Sequence, residues 1–250
     1  MVKLALLVHI ALFFAPSFVA SAATTVVNKP VKVTEGFVQW TSSDGGGPYQ
    51  TFFKLFGQIT PASPTPLIVL HGGPGLSLDY MTPFQDLATQ HNIPVILYDQ
   101  LGNAHSTHLD SAPPSFWNID IFVEELSNVI SHFNIQRSFS LAGHSWGTVL
   151  AMEFAQRLQP AGLKRLILSD GLASNDLWNE SQGEQAQEFP LSVQEGLGAG
   201  FSDPVAFKAA FDEFNTVHGI RLNPLPADWL ATEAWIFGPN ADVTVANASQ

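Results

Sequence analysis

A serine hydroxyl is a weak nucleophile at neutral pH until a base takes its proton and fixed donors receive the oxyanion it creates. The pentapeptide Gly143-His144-Ser145-Trp146-Gly147 has residue types and spacing suited to that chemistry. A Gly-x-Ser-x-Gly segment between a strand and a helix holds its serine in a strained turn with the hydroxyl exposed. Glycines two residues to either side carry no Cβ, so strand and helix can pass close together. Upstream, His71-Gly72-Gly73-Pro74-Gly75 offers backbone N–H groups to the same place. Pro74 has no N–H, so the donor there must be Gly72 or Gly73. The N–H of Trp146, next to the expected nucleophile, is the second expected donor. In isolation, residues 71–75 read as a structural tight turn; the elements around them decide their meaning.

Those elements alternate. Residues 138–142 form a short β-like run before the pentapeptide, and residues 148–158 a helix-like run after it. Residues 67–70 are all apolar, as in a strand buried on both faces, and lead straight into His71. Residues 78–91 read as helix, and 93–98 as a second buried strand that opens into Asp99-Gln100-Leu101-Gly102-Asn103-Ala104-His105-Ser106. Apolar residues at 119, 122, 123, 126, 129, 130 and 133 give residues 116–133 a helical stripe. Pro160 ends the helix after the pentapeptide, and residues 163–168 read as the next strand. Two earlier strand-like runs, 34–41 and 50–59, are separated by the hairpin-loop segment 42–48, and 61–66 is a second loop. This alternation predicts an α/β fold with a mostly parallel sheet flanked by helices. From about Leu172 the sequence becomes polar, Gly-rich and helical without new apolar strands, as an inserted cap would. The expected organisation is a signal peptide (1–22), a core (23–171), a helical cap (172–240) and a return to the core (241–250).

Composition narrows the function. The chain has 250 residues, 46% hydrophobic and 13% charged, with a formal net charge of -12. Nucleic-acid-binding faces are basic, so nothing here favours that partner. Without cysteine there is no disulfide or thiolate metal site, and none of the eight histidines makes a His-x-x-x-His pair with a nearby carboxylate, so no metal site is expected. Residues 1–22 place Lys3 before a short apolar run, then Pro16 and Ala20-Ser21-Ala22, the pattern of a cleaved secretory signal rather than a membrane anchor. A secreted protein with no membrane attachment after cleavage follows, and Asn179 and Asn247 become candidate glycosylation sites in Asn-x-Ser triplets.

His-Gly-Gly-Pro-Gly, Asp-Gln-x-Gly and Gly-x-Ser-Trp-Gly, in this order and spacing, resemble the proline iminopeptidase (prolyl aminopeptidase) family. The resemblance runs from about Phe37 to about Asn240 and includes the segments at 189–195 and 238–240. It implies an α/β-hydrolase-fold serine peptidase without cofactor, releasing an N-terminal residue, typically proline, from a small peptide or aminoacyl substrate. It implies Ser145 as nucleophile, Gly72 or Gly73 with Trp146 as oxyanion donors, and Asp212 or Glu213 as the cap carboxylate that binds the substrate's amino group; for these two a solvated helix face is the rival reading. Ala104, His105 and His144 depart from the family pattern, as does Ala241 where a second family glutamate usually stands. His144 adjoins the nucleophile but is expected to point away from it. An esterase or amino-acid amidase of the same fold, and a catalytically dead hydrolase-like binding protein, are the alternatives.

In this fold the catalytic acid and base follow the nucleophile in chain order. The only histidine after His144 is His218, inside the cap segment, and it is not expected to be the base. No catalytic acid or base is therefore assigned within the sequence, which reads as truncated. A nearly inactive, poorly folded chain is expected, with an apolar edge on strand 163–168.

Overall fold

The computed structural model describes residues 30–248, so the signal-peptide segment lies outside the described residues. A six-stranded sheet runs in the order β1-β2-β4-β3-β5-β6. The strands are β1 (Val33–Trp40), β2 (Tyr49–Phe56), β3 (Leu67–Leu70), β4 (Val95–Tyr98), β5 (Phe139–His144) and β6 (Leu163–Ser169). β1 and β2 form the expected antiparallel hairpin, and β4, β3, β5 and β6 are mutually parallel. Every residue of β3 and β4 is buried, as their unbroken apolar runs require.

Helices cover both faces of this sheet. On one side α2 (Ile119–His132) buries Phe122, Leu126 and Val129, and α3 (Trp146–Leu158) buries Leu150, Ala151 and Phe154 against β3 and β5. On the other, Leu78, Met81 and Ala88 pack beneath Val69, Leu97 and Ala142. The segment read as one helix over 78–91 is a 3-10 helix (Asp79–Gln85) followed by a short α1 (Asp86–His91). Pro83 inside the first part lacks the N–H an α-helix would use, and Asn92 ends the second in a left-handed conformation.

The cap comprises α4 (Asn175–Ala186), α5 (Leu191–Ala199), α6 (Pro204–His218) and α7 (Ala227–Phe237). It is followed by α8 (Thr244–Ala248), which returns to the core: Val245 is buried beside Gly102 and Trp117, and Ala246 lies against Gly75. Asp242 accepts the Thr244 N–H at the start of α8 and pairs with His108. β6 is the last strand of the sheet, and its apolar residues Leu166, Ile167 and Leu168 are 37%, 45% and 45% exposed, as expected for that edge. No helix among the described residues is long and apolar enough to cross a membrane.

Candidate active site

β5 ends at His144, α3 begins at Trp146, and Ser145 occupies the turn between them with φ 51 and ψ -122. A side-chain-bearing residue occupies that region at a cost of about 1–3 kcal/mol, and persists there only when its surroundings enforce it. The enforcement is visible. The Ser145 N–H donates to the Ser169 carbonyl at 3.0 Å, and the Thr148 N–H and hydroxyl donate to the Ser145 carbonyl at 2.8 and 2.7 Å. A Cβ on Gly143 would fall on the backbone of Gly147, and one on Gly147 would fall on the Leu70 carbonyl. Both elbow glycines are therefore required by close backbone passage, as the sequence indicates.

The turn at 71–75 lies beside this elbow. His71 is buried, and burial pulls its imidazole below the usual range. Its Nε2 accepts the Gln100 N–H at 3.0 Å, so the neutral ring carries its proton on Nδ1, 2.9 Å from the Gly72 carbonyl. The Gln100 side chain closes the frame: Nε2 donates to the His71 carbonyl and Oε1 accepts from the Trp146 indole, both at 3.0 Å. One buried amide thus ties the glycine turn to the residue after the elbow. Asp99, also fully buried, accepts from the Leu78 N–H at 2.7 Å and from His105 Nδ1 at 2.9 Å. The bond to Asp99 raises the His105 pKa. Glu125 accepts from the Thr51 hydroxyl at 2.5 Å and the Leu101 N–H at 3.1 Å, and burial pushes its pKa up to about 8.

The two glycines differ. The Gly72 N–H donates to the Tyr80 hydroxyl at 2.6 Å. Gly73, at φ 113, makes no hydrogen bond through its N–H among the described residues, and it lines the same cavity as Ser145 and Trp146. Trp146 opens α3, where first-turn N–H groups have no partner within the helix.

That cavity has a volume of about 790 Å³. Its floor is Gly73–Gly75, Ser145 and Trp146; its roof is mainly apolar and aromatic, with Trp178 of α4, Phe207 and Phe211 of α6 and Phe237 of α7. Phe207 and Phe237 approach to 5.7 Å between ring centres, and Phe211 and Phe237 to 5.9 Å. None of the lining residues is an aspartate, glutamate, lysine, arginine or histidine. Asp212 points to Lys208, whose ammonium lies 2.5 and 2.7 Å from its two oxygens, and neither Asp212 nor Glu213 lines the cavity. Asn179 is exposed and lies at the cavity wall; Asn247 is exposed on α8. His218 packs against Phe189 and Phe214 and lies 3.7 Å from Glu188. His144 lies 2.8 Å from the Tyr80 hydroxyl through Nδ1, and no imidazole or carboxylate among the described residues hydrogen-bonds the Ser145 hydroxyl.

Known proteins with this arrangement can now be compared. The alpha/beta hydrolase fold family matches residues 65–229. A proline iminopeptidase of Lactobacillus delbrueckii subsp. bulgaricus is 35% identical over 187 residues, 71% of this chain and 61% of that protein. The crystal structure of a proline iminopeptidase from Mycobacterium smegmatis superposes with a TM-score of 0.69 at 31% identity, covering 86% of this chain and 70% of that one. The chain belongs to the proline iminopeptidase family. The crystal structure of VinJ is a further neighbour, with a TM-score of 0.75 at 33% identity over 86% of this chain and 70% of its own. The chain spans about three fifths of the Lactobacillus proline iminopeptidase.

Within the family frame, the residues that depart from the pattern have visible consequences. Ala104 has φ 46, a left-handed conformation that glycine adopts without cost. The His105 ring lies 4.6 Å from that of Phe52 in a tilted contact and meets Trp235 edge-on at 4.8 Å, so it ties the loop after β4 to α7. Asp242, beside Ala241, is engaged by His108 at 2.5 Å.

Proposed function

We propose that the chain is the nucleophile-bearing part of a secreted serine hydrolase that attacks an aminoacyl or small peptide substrate through Ser145. The enforced elbow geometry of Ser145 beside two unengaged backbone donors carries this reading. Ser145 would attack the carbonyl, and the N–H groups of Gly73 and Trp146 would receive the oxyanion. Gly72 is left out because Tyr80 already holds its N–H. An acyl-enzyme would form on Ser145 and water would release it. The resemblance to proline iminopeptidases supports release of an N-terminal residue, proline first, with a catalytic acid and base from outside these 250 residues. Secretion rests on the signal-like residues 1–22, and a glycan on Asn179 would crowd the cavity wall.

Incubation with a fluorophosphonate, followed by peptide mapping, tests the nucleophile. The expected result is a single adduct on Ser145, absent in Ser145→Ala. An unmodified Ser145 under conditions where the folded chain is present contradicts it and favours the non-catalytic binding reading.

A second reading, an esterase or amidase indifferent to a free amino group, is favoured by the cavity lining, which presents no carboxylate to an ammonium. Proline arylamide and a simple aryl ester separate the two: preference for the arylamide supports the aminopeptidase, preference for the ester the alternative.

A further inference from the structure

His144 stands one residue before Ser145, and its ring is built into the oxyanion turn. The Tyr80 hydroxyl accepts the Gly72 N–H at 2.6 Å and lies 2.8 Å from His144 Nδ1. That hydroxyl keeps one proton to donate, and Nδ1 is within reach to accept it; the ring is assigned this tautomer, with Nδ1 unprotonated. The ring proton of the neutral imidazole then sits on Nε2, 3.8 Å from Asp170 Oδ2 at the end of β6. Tyr80 is also anchored to the cap: its N–H donates to Thr232 Oγ1 at 3.1 Å, and its ring meets Trp229 at 6.0 Å. A Cβ on Gly72 would press on Ser145, Tyr80 and His144 at once, so the groups are in mutual contact.

We propose that Tyr80 and His144 are positioning residues that clasp the oxyanion turn to the nucleophile elbow, and that the clasp closes only while His144 is neutral. The inference rests on the reading of Ser145 as nucleophile. In the neutral state each proton has an acceptor, from Gly72 N–H to Tyr80 Oη and from Tyr80 O–H to Nδ1, and such chains reinforce themselves. Protonation turns Nδ1 into a donor. Tyr80 Oη then faces two donors, and its own proton has lost its acceptor. The strain falls on the Gly72 N–H bond, one residue before Gly73. A misplacement of about 1 Å in such a site can cost about 10²-fold in rate.

The titratable and charged groups facing His144 are Tyr80 from the 3-10 helix and Asp170 from the end of β6. Burial lowers the His144 pKa and Asp170 opposes this, weakly because its carboxylate is largely exposed. The closed clasp is thus fully present above the ordinary histidine range and is lost as pH falls through the lowered pKa.

The test is NMR titration of the full chain, following the His144 ring nitrogens and the Gly72 amide between about pH 5 and 8. The expected result is a Gly72 amide that shifts with the same midpoint as the His144 ring. In His144→Gln, whose side-chain carbonyl can still accept from Tyr80, the Gly72 shift with pH should vanish. In Tyr80→Phe the His144 ring should titrate without moving Gly72. A Gly72 amide that stays constant while His144 titrates in the native chain overturns the proposal, as does one that titrates unchanged in His144→Gln; His144→Gln decides this whether or not Tyr80→Phe folds. Fluorophosphonate labelling over the same range should fall at least about tenfold below the His144 midpoint, and this acid limb should be absent in His144→Gln. A native chain unlabelled at every pH removes the nucleophile reading, and the Gly72 titration then decides the clasp independently.

Discussion

The floor and the roof of the Ser145 cavity are built from different physics. The floor is held from beneath by a polar, over-determined frame: hydrogen bonds of 2.6–3.0 Å link Gly72 to Tyr80, His71 to Gln100, Gln100 to Trp146 and Leu78 to Asp99, and leave the glycine turn and the elbow little freedom. The roof is aromatic, carries no charged lining residue, and meets the cavity through ring contacts. Hydrogen bonds fix positions to fractions of an ångström, whereas apolar contacts are non-directional and scale with area. Under the proposed reading of Ser145 as nucleophile, the floor would set reaction geometry and the roof the choice of acyl group.

Substitutions that respect or violate this division sharpen it. The largest effect is expected at Gly147, where a methyl group would collide with the Leu70 carbonyl. Gly147→Ala should destabilise the chain by more than about 3 kcal/mol in urea unfolding, the range of severe backbone and overpacking defects. Near-native stability would mean the elbow is looser than its geometry indicates. Next comes Glu125, which carries the loop after β4. Its folded pKa of about 8 lies above the ordinary glutamate value of 4.5, so its contribution is fully present below the lower value and is lost as pH rises through the higher one. Native stability should therefore decline between about pH 4.5 and 8. Glu125→Gln should flatten that decline, and an unchanged pH profile would contradict the assignment. On the roof, Phe207→Ala should weaken binding of a bulky apolar acyl analogue about tenfold while fluorophosphonate labelling of Ser145 changes little. An equal fall in labelling would blur the division. The smallest effect is expected at Ala104, where glycine relieves the left-handed backbone: Ala104→Gly should stabilise by about 0.5–1 kcal/mol in the same unfolding assay.

What could be read from the sequence was local. The elbow glycines, the buried strands β3 and β4 and the hairpin β1–β2 are encoded in residues adjacent along the chain. The frame joining Trp146 to Gln100 and Gln100 to His71 spans 46 and 29 residues, and no sequence period reports such pairs. Tyr80 was missed for that reason; its only signal was a phenol soon after the glycine turn. The choice between Gly72 and Gly73 stayed open in the sequence because it depends on where that phenol points. Asp212 pairs with Lys208 one turn earlier on the same helix, and the phase of α6 keeps Asp212 off the cavity lining, which the segment's composition does not carry.

The most direct measurement is a crystal structure of the chain with a phosphonate or boronate adduct on Ser145. The adduct oxygen is expected within about 2.7–3.1 Å of the Gly73 and Trp146 N–H groups. The Gly72 N–H should remain on the Tyr80 hydroxyl. An oxygen bound instead by the Gly72 N–H, with Tyr80 displaced, would contradict it.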